Sequence, residues 1–60
     1  MNKLYRFIFI NKKGMKMFFN TVAVDEETAW EVFYEKISNR GGYEKVIVVE
    51  TYKMIAMREV

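Results

Sequence analysis

The sequence contains no cysteine and no histidine among its 60 residues. Disulfide cross-links and zinc sites built from thiolates and imidazoles are therefore excluded. A chain of this length buries only about 60% of the surface that its unfolded form exposes, so its stability margin is thin. Since small domains commonly gain stability from disulfides or a structural metal, this chain must rely on dense apolar packing or on burial against a second copy of itself.

The chain also lacks a long hydrophobic run. No stretch approaches the roughly 20 apolar residues that cross a bilayer, and the segment Met1–Arg6 does not resemble a signal peptide. We therefore expect a single domain over residues 1–60 that resides in the cytoplasm. The net charge is +2, which gives a mild preference for anionic partners but is far below that of a dedicated nucleic-acid binder.

What the sequence has in abundance is apolar and aromatic side chains, at 52% and 17% of residues. Residues 3–10 and 15–24 are rich in the aromatic and branched types that favour strands. Between them, Asn11 and Gly14 occupy the first and fourth positions of a type I turn whose last residue needs a left-handed backbone. The pattern predicts a β-hairpin.

The turn also predicts a register, in which Ile10 lies opposite Met15 and Phe7 opposite Phe18. One face of the hairpin would then carry Leu4, Ile8, Ile10, Met15, Met17 and Phe19. The other would carry Tyr5, Phe7, Phe9, Phe18 and Val22. Both faces are apolar, whereas one helix can cover only one of them.

A helix is predicted after the hairpin. Asp25 can cap its free backbone N–H groups, and Glu26 and Glu27 suit the positive end of the helix dipole. The helix should end near Asn39, before the paired glycines at 41 and 42. Its apolar stripe, expected to pack on the sheet, consists of Ala29, Trp30, Phe33 and Ile37.

Residues 45–50 predict a third, interior strand. Residues 51–60 could add a fourth strand after a turn near 51–53, form a short helix, or prolong the third strand. We favour a strand, because it would shield a sheet edge. The predicted fold is α+β, with one helix on one face of a small antiparallel sheet. The sheet has three strands in the order β-β-α-β, or four where residues 51–60 add a final β. Short connections favour the spatial strand order 2-1-3.

Catalysis is not indicated. General acid–base chemistry at neutral pH usually recruits histidine, and without it Ser38 has no base. Glu27, Glu31 and Glu35 recur at four-residue spacing, which suits a solvated helix face better than an acidic contact stripe. We therefore expect no enzyme, no cofactor and no bound metal.

The uncovered sheet face is the candidate site. We expect Tyr5, Phe7, Phe9 and Phe18 to form a partner-binding or homodimer face, rimmed by Lys12, Lys13 and Lys16. The same residues could instead stack single-stranded nucleic-acid bases and contact phosphate. A third interpretation is that residues 51–60 fold back over this face.

The strand-to-helix junction, Val22 to Trp30 (VAVDEETAW), resembles one that recurs in small uncharacterised proteins of bacteriophages and other mobile elements. This resemblance covers about the first two-thirds of the chain and implies an inhibitor or adaptor that binds a host or bacterial-defence protein. It carries over no functional residue. Because many such inhibitors are strongly acidic DNA mimics and this chain is not acidic, the resemblance does not imply DNA mimicry.

Overall fold

The computed structural model describes residues 2–53. The strands are β1 (Lys3–Asn11), β2 (Lys16–Ala23) and β3 (Tyr43–Lys53), and the helix α1 (Glu26–Ser38) joins β2 to β3. The sheet is antiparallel with the order β2-β1-β3, so β1 is central. The predicted α+β fold, its β-β-α-β order and its 2-1-3 arrangement are confirmed.

The hairpin turn contains the residues that the sequence predicts, but the residue of β1 that faces Met15 is Asn11 rather than Ile10. Gly14 has φ +82°, and its N–H donates to the carbonyl of Asn11 at 3.0 Å. The Asn11 N–H donates to the Met15 carbonyl at 2.9 Å, and the Asn11 side chain accepts from the N–H groups of Lys13 and Met15. Asn11 is thus the last paired residue of β1 rather than the first residue of the loop.

This difference corrects the predicted register. Phe7 lies opposite Phe19 and Ile8 opposite Phe18, one position away from the predicted pairs. A slip of one residue moves every side chain of β2 to the other face relative to β1. Phe19 therefore shares a face with Phe7, and Phe18 lies on the opposite face.

The helix forms where its caps predict. Asp25 is the N-cap, and its Oδ1 accepts from the Thr28 N–H at 2.9 Å, which lowers the pKa of the Asp25 carboxyl below its ordinary value. The helix ends at Ser38, and the chain turns away through Gly41 and Gly42, both at positive φ. The Gly42 N–H donates to the Ile37 carbonyl at 2.8 Å, which satisfies one of the last helical carbonyls.

The core lies between α1 and one face of the sheet and is largely aromatic. Phe33 is fully buried at its centre, stacked on Phe7 with ring centroids 4.5 Å apart and an interplanar angle of 12°. Phe9 and Trp30 contact Phe33 edge-on at 5.3 and 5.6 Å. The buried set is Tyr5, Phe7, Phe9, Ala23, Ala29, Phe33 and Ile37, with Phe19, Trp30, Tyr43, Val46 and Val49 packed around it.

The core placement overturns part of the predicted site. Tyr5, Phe7 and Phe9 lie beneath the helix and are at most 3% exposed, so the prediction that they form an open face is wrong. The reason is the register: with Phe19 opposite Phe7, aromatic rings from both strands meet on one face, and α1 covers that face. Phe18 does lie on the open side.

β3 differs from the predicted strand in place and length, since it lies at an edge of the described sheet rather than in its interior and is longer than the sequence predicts. It runs for 11 residues, and its last three pair with Lys3–Tyr5 rather than turning back. The alternative in which the third strand simply continues is therefore the one observed over residues 51–53. Register shifts at Ile47 and Glu44 add two irregularities to the strand. The proposed extra strand or helix beyond Lys53 lies outside the described residues.

Candidate functional site

The face of the sheet opposite α1, here called the open face, consists of four rows that run across all three strands. Each row consists of one residue of β1 together with the residue of β2 and the residue of β3 that lie opposite it. The basic row is Lys16, Ile10 and Lys45; the apolar row is Phe18, Ile8 and Val48; the polar row is Asn20, Arg6 and Glu50; and the end row is Val22, Leu4 and Tyr52.

The open face is mainly apolar and remains accessible. Phe18 is 60% exposed, and Val22, Val48 and Tyr52 are each exposed by more than 40%. Ile8, at the centre of the apolar row, is half-buried by its neighbours alone. Contiguous apolar surface of this kind on a small protein marks an interaction site more often than isolated exposed residues do.

Arg6 organises the polar row. Its Nε donates to Asn20 Oδ1 at 3.2 Å, and its guanidinium carbon lies 5.9 Å from the Phe18 ring centroid and 5.8 Å from that of Tyr52. These contacts are within cation–π range. Arg6 therefore lies between the exposed ring of the apolar row and that of the end row and contacts both.

Besides its contact with Arg6, Tyr52 makes a hydrogen bond with Glu50. Its hydroxyl donates to Glu50 Oε1 at 2.5 Å. This hydrogen bond, together with partial burial and the negative charge of Glu50, raises the pKa of Tyr52, while Arg6 opposes the rise. The Tyr52 ring is thus fixed between a carboxylate and a guanidinium, which reduces the conformational entropy that binding would remove.

The predicted basic rim is divided between two places. Lys16 lies on the open face, with its Nζ 6.0 Å from the Phe18 ring centroid. Lys13 is exposed at the hairpin turn. Lys12 instead packs over Gly42, where an added Cβ would lie 3.2 Å from its Cε, and it lines a groove beside the helix. Of the predicted rim residues, only Lys16 is brought against Phe18.

That groove lies on the side of α1, away from the open face. Tyr34 and Tyr43 stack there at 6.3 Å between centroids, and burial, with the adjacent Tyr34 hydroxyl, raises the pKa of Tyr43. Glu31 and Glu35 also line it. The groove is shallow and open, and its aromatic pair extends the core, so its residues are explained by packing.

Several open-face residues were missed by sequence reasoning, namely Arg6, Ile8, Val48 and Tyr52. Alternation along β1 would have found Arg6 and Ile8, because Tyr5, Phe7 and Phe9 form the opposite face. Val48 and Tyr52 follow only from the pairing of β3 with β1. The face of β1 that carries the three aromatic rings is the one that packs against the aromatic residues of α1, Trp30 and Phe33.

Within residues 2–53, no cluster of three carboxylates is arranged to hold a metal ion, and no helix there is long and apolar enough to cross a membrane. Comparison with protein-family models, with curated proteins and with solved structures finds no match to this chain.

Proposed function

We propose that this chain is a non-catalytic protein-binding module whose open face is covered by another protein surface. The observation that carries the proposal is the arrangement of apolar side chains across all three strands, on the side of the sheet that α1 leaves bare. Interface cores are rich in aromatic residues and poor in charged ones, with polar groups at the rim. The apolar row, flanked by polar and basic rows, has this layout.

The amount of exposed ring surface supports a macromolecular partner. Aromatic side chains present about 200 Å² each, so Phe18 at 60% exposure and Tyr52 at 42% expose about 200 Å² together. One partner in a standard protein–protein interface buries about 800 Å². Two side chains thus supply about a quarter of that area, and the other residues of the four rows add to it.

An inhibitor or adaptor acts by occupying the surface of its target, and a preordered apolar face suits that role. Such a role, an origin in a bacteriophage and a cytoplasmic location stay predictions from the sequence. The face itself requires neither cofactor nor catalytic group.

A second candidate is binding of single-stranded nucleic acid on the same face. The specific observation in its favour is that two cations, Arg6 and Lys16, flank the exposed Phe18 ring at about 6 Å. Exposed rings beside cations can stack bases and contact phosphates. However, Phe18 is the only exposed phenylalanine on this face among residues 2–53, and the second exposed ring there, that of Tyr52, is hydrogen-bonded to Glu50, a carboxylate that disfavours a phosphate nearby.

Photo-crosslinking tests the proposal. Phe18 is replaced by the photoreactive benzoylphenylalanine, and Tyr34, an exposed ring on α1, is replaced in a matched control. The proposal predicts protein adducts from position 18, in pure protein or in cell extract, and few from position 34. Equal yields at the two positions would contradict it, and adducts that nuclease removes would support the second candidate.

A further inference from the structure

We infer that the occupant of the open face is a second copy of this chain, related by a two-fold axis that lies across the strands at the apolar row. This inference rests on the proposed function, since it names the partner of the same face. It places the apolar row against itself, with Phe18, Ile8 and Val48 of the two copies in contact. Homodimers related by a two-fold axis are the commonest protein assemblies.

The charges of β3 support this axis. Lys45 in the basic row and Glu50 in the polar row lie on the same strand, one row to either side of Val48. Adjacent rows are about 6.8 Å apart along a strand. Rotation by 180° about an axis at the apolar row therefore brings Lys45 of each copy over Glu50 of the other, and two unlike pairs form.

The remaining members of the two rows also match. Lys16 comes to face Asn20 of the second copy, and the apolar Ile10 covers the aliphatic part of Arg6. Packed sheets are about 10 Å apart, a gap that a lysine and a glutamate side chain can bridge together. The charged pairs lie toward the β3 edge of the sheet, where they can stay partly hydrated while the apolar row is buried.

Two other two-fold arrangements bring like charges together. An axis parallel to β1 would place Arg6 on Arg6 and Lys16 on Lys45 of the second copy. An axis at the polar row would place Arg6 on Arg6 and Glu50 on Glu50. Since like charges face to face oppose association, the layout of the rows favours the axis at the apolar row over these two alternatives.

A charge-exchange experiment tests the inference. The full chain is prepared as wild type, as Lys45→Glu and as Glu50→Lys, and the solution mass is measured by sedimentation at several concentrations. Each substitution alone turns both unlike pairs into like pairs, and we expect the dimer dissociation constant to rise by about tenfold or more. An equimolar mixture of the two variants restores both unlike pairs, so the mixture should form a heterodimer much more tightly than either variant associates with itself.

The outcomes separate this inference from the function on which it rests. A mixture that stays as weakly associated as its components would overturn the inferred axis. A wild-type chain that stays monomeric at all concentrations would overturn the second copy as occupant, yet crosslinking of position 18 to a different protein would still support the binding module. Circular dichroism of each variant checks that the fold is intact. We expect it to be, because Lys45 and Glu50 lie outside the core.

Discussion

Phe7 and Phe33 stack almost in parallel, with ring centroids 4.5 Å apart, and neither ring is exposed. This contact joins the central strand to the helix. A Phe33→Ala substitution should cost about 3–5 kcal/mol of unfolding free energy, which is comparable to the whole margin of a domain this small. The milder Phe33→Leu should cost about 1–2 kcal/mol, measured by urea denaturation.

The control for this prediction is Phe18→Leu. Since Phe18 is exposed on the other side of the sheet, its replacement should change the unfolding free energy of the monomer by about 0.5 kcal/mol or less. Equal destabilisation by the two leucine substitutions would contradict the assignment of core and open face.

The hairpin turn gives a second prediction. Gly14 has φ +82° and nothing within 4 Å of the position of an added Cβ, so a substitution meets conformational strain without a steric clash. Gly14→Ala should lower the unfolding free energy by about 1 kcal/mol. Gly14→Asn, which tolerates the left-handed region better, should lower it less. Equal losses in thermal or urea denaturation would show that strain at this position is not what favours glycine.

The N-cap predicts a pH dependence. Because the hydrogen bond from the Thr28 N–H lowers the pKa of Asp25 in the folded chain, the ionised carboxylate stabilises the fold above the unfolded-state pKa of about 3.9. That contribution is lost as the pH falls through the lower, folded-state value. Asp25→Asn keeps a capping oxygen but does not titrate, so its stability difference from wild type should shrink between pH 5 and pH 2. A constant difference would contradict this account.

Tyr52 gives a prediction on the open face itself. Its hydrogen bond to Glu50 raises the pKa of the phenol, so this contribution to stability is present below the ordinary value of about 10 and is lost as the pH rises through the folded-state value. Glu50→Gln should lower the pKa of Tyr52, as followed by NMR of ring-labelled tyrosine. The pKa of Tyr43, which burial and Tyr34 raise, should stay unchanged.

Local signals in the sequence are sufficient for the elements of this fold. Caps and turns depend on only a few neighbouring residues, and each of them forms where its residues predict. These are the helix N-cap at Asp25, the helix end before Gly41 and Gly42, and the hairpin turn with Asn11 and Gly14. The strand order follows from short connections. The length of β3 does not, because residues 51–53 carry no turn residue that decides between continuing and turning back, and it is their pairing with β1 that extends the strand.

The candidate site was harder to predict than the fold, because it depends on a single residue of register. Counting Asn11 as part of the loop shifts the partners of Phe18 and Phe19 by one position along β1, so that Phe18 instead of Phe19 is assigned to the face of Phe7. Propensity cannot separate the two registers, since both strands are apolar on both sides. What decides is the side-chain hydrogen bonding of Asn11 and the match between a ring-rich sheet face and the ring-rich stripe of α1.

The most direct test of the central claim is the solution mass of the full chain as wild type and as Phe18→Asp, measured by light scattering over a range of concentrations. We expect wild type to reach twice the 7.2 kDa of one chain and Phe18→Asp to stay monomeric with its helix content intact. A matched Val24→Asp variant, which changes an exposed residue outside the sheet, should associate like wild type. A Phe18→Asp protein that is as dimeric as wild type would contradict the account.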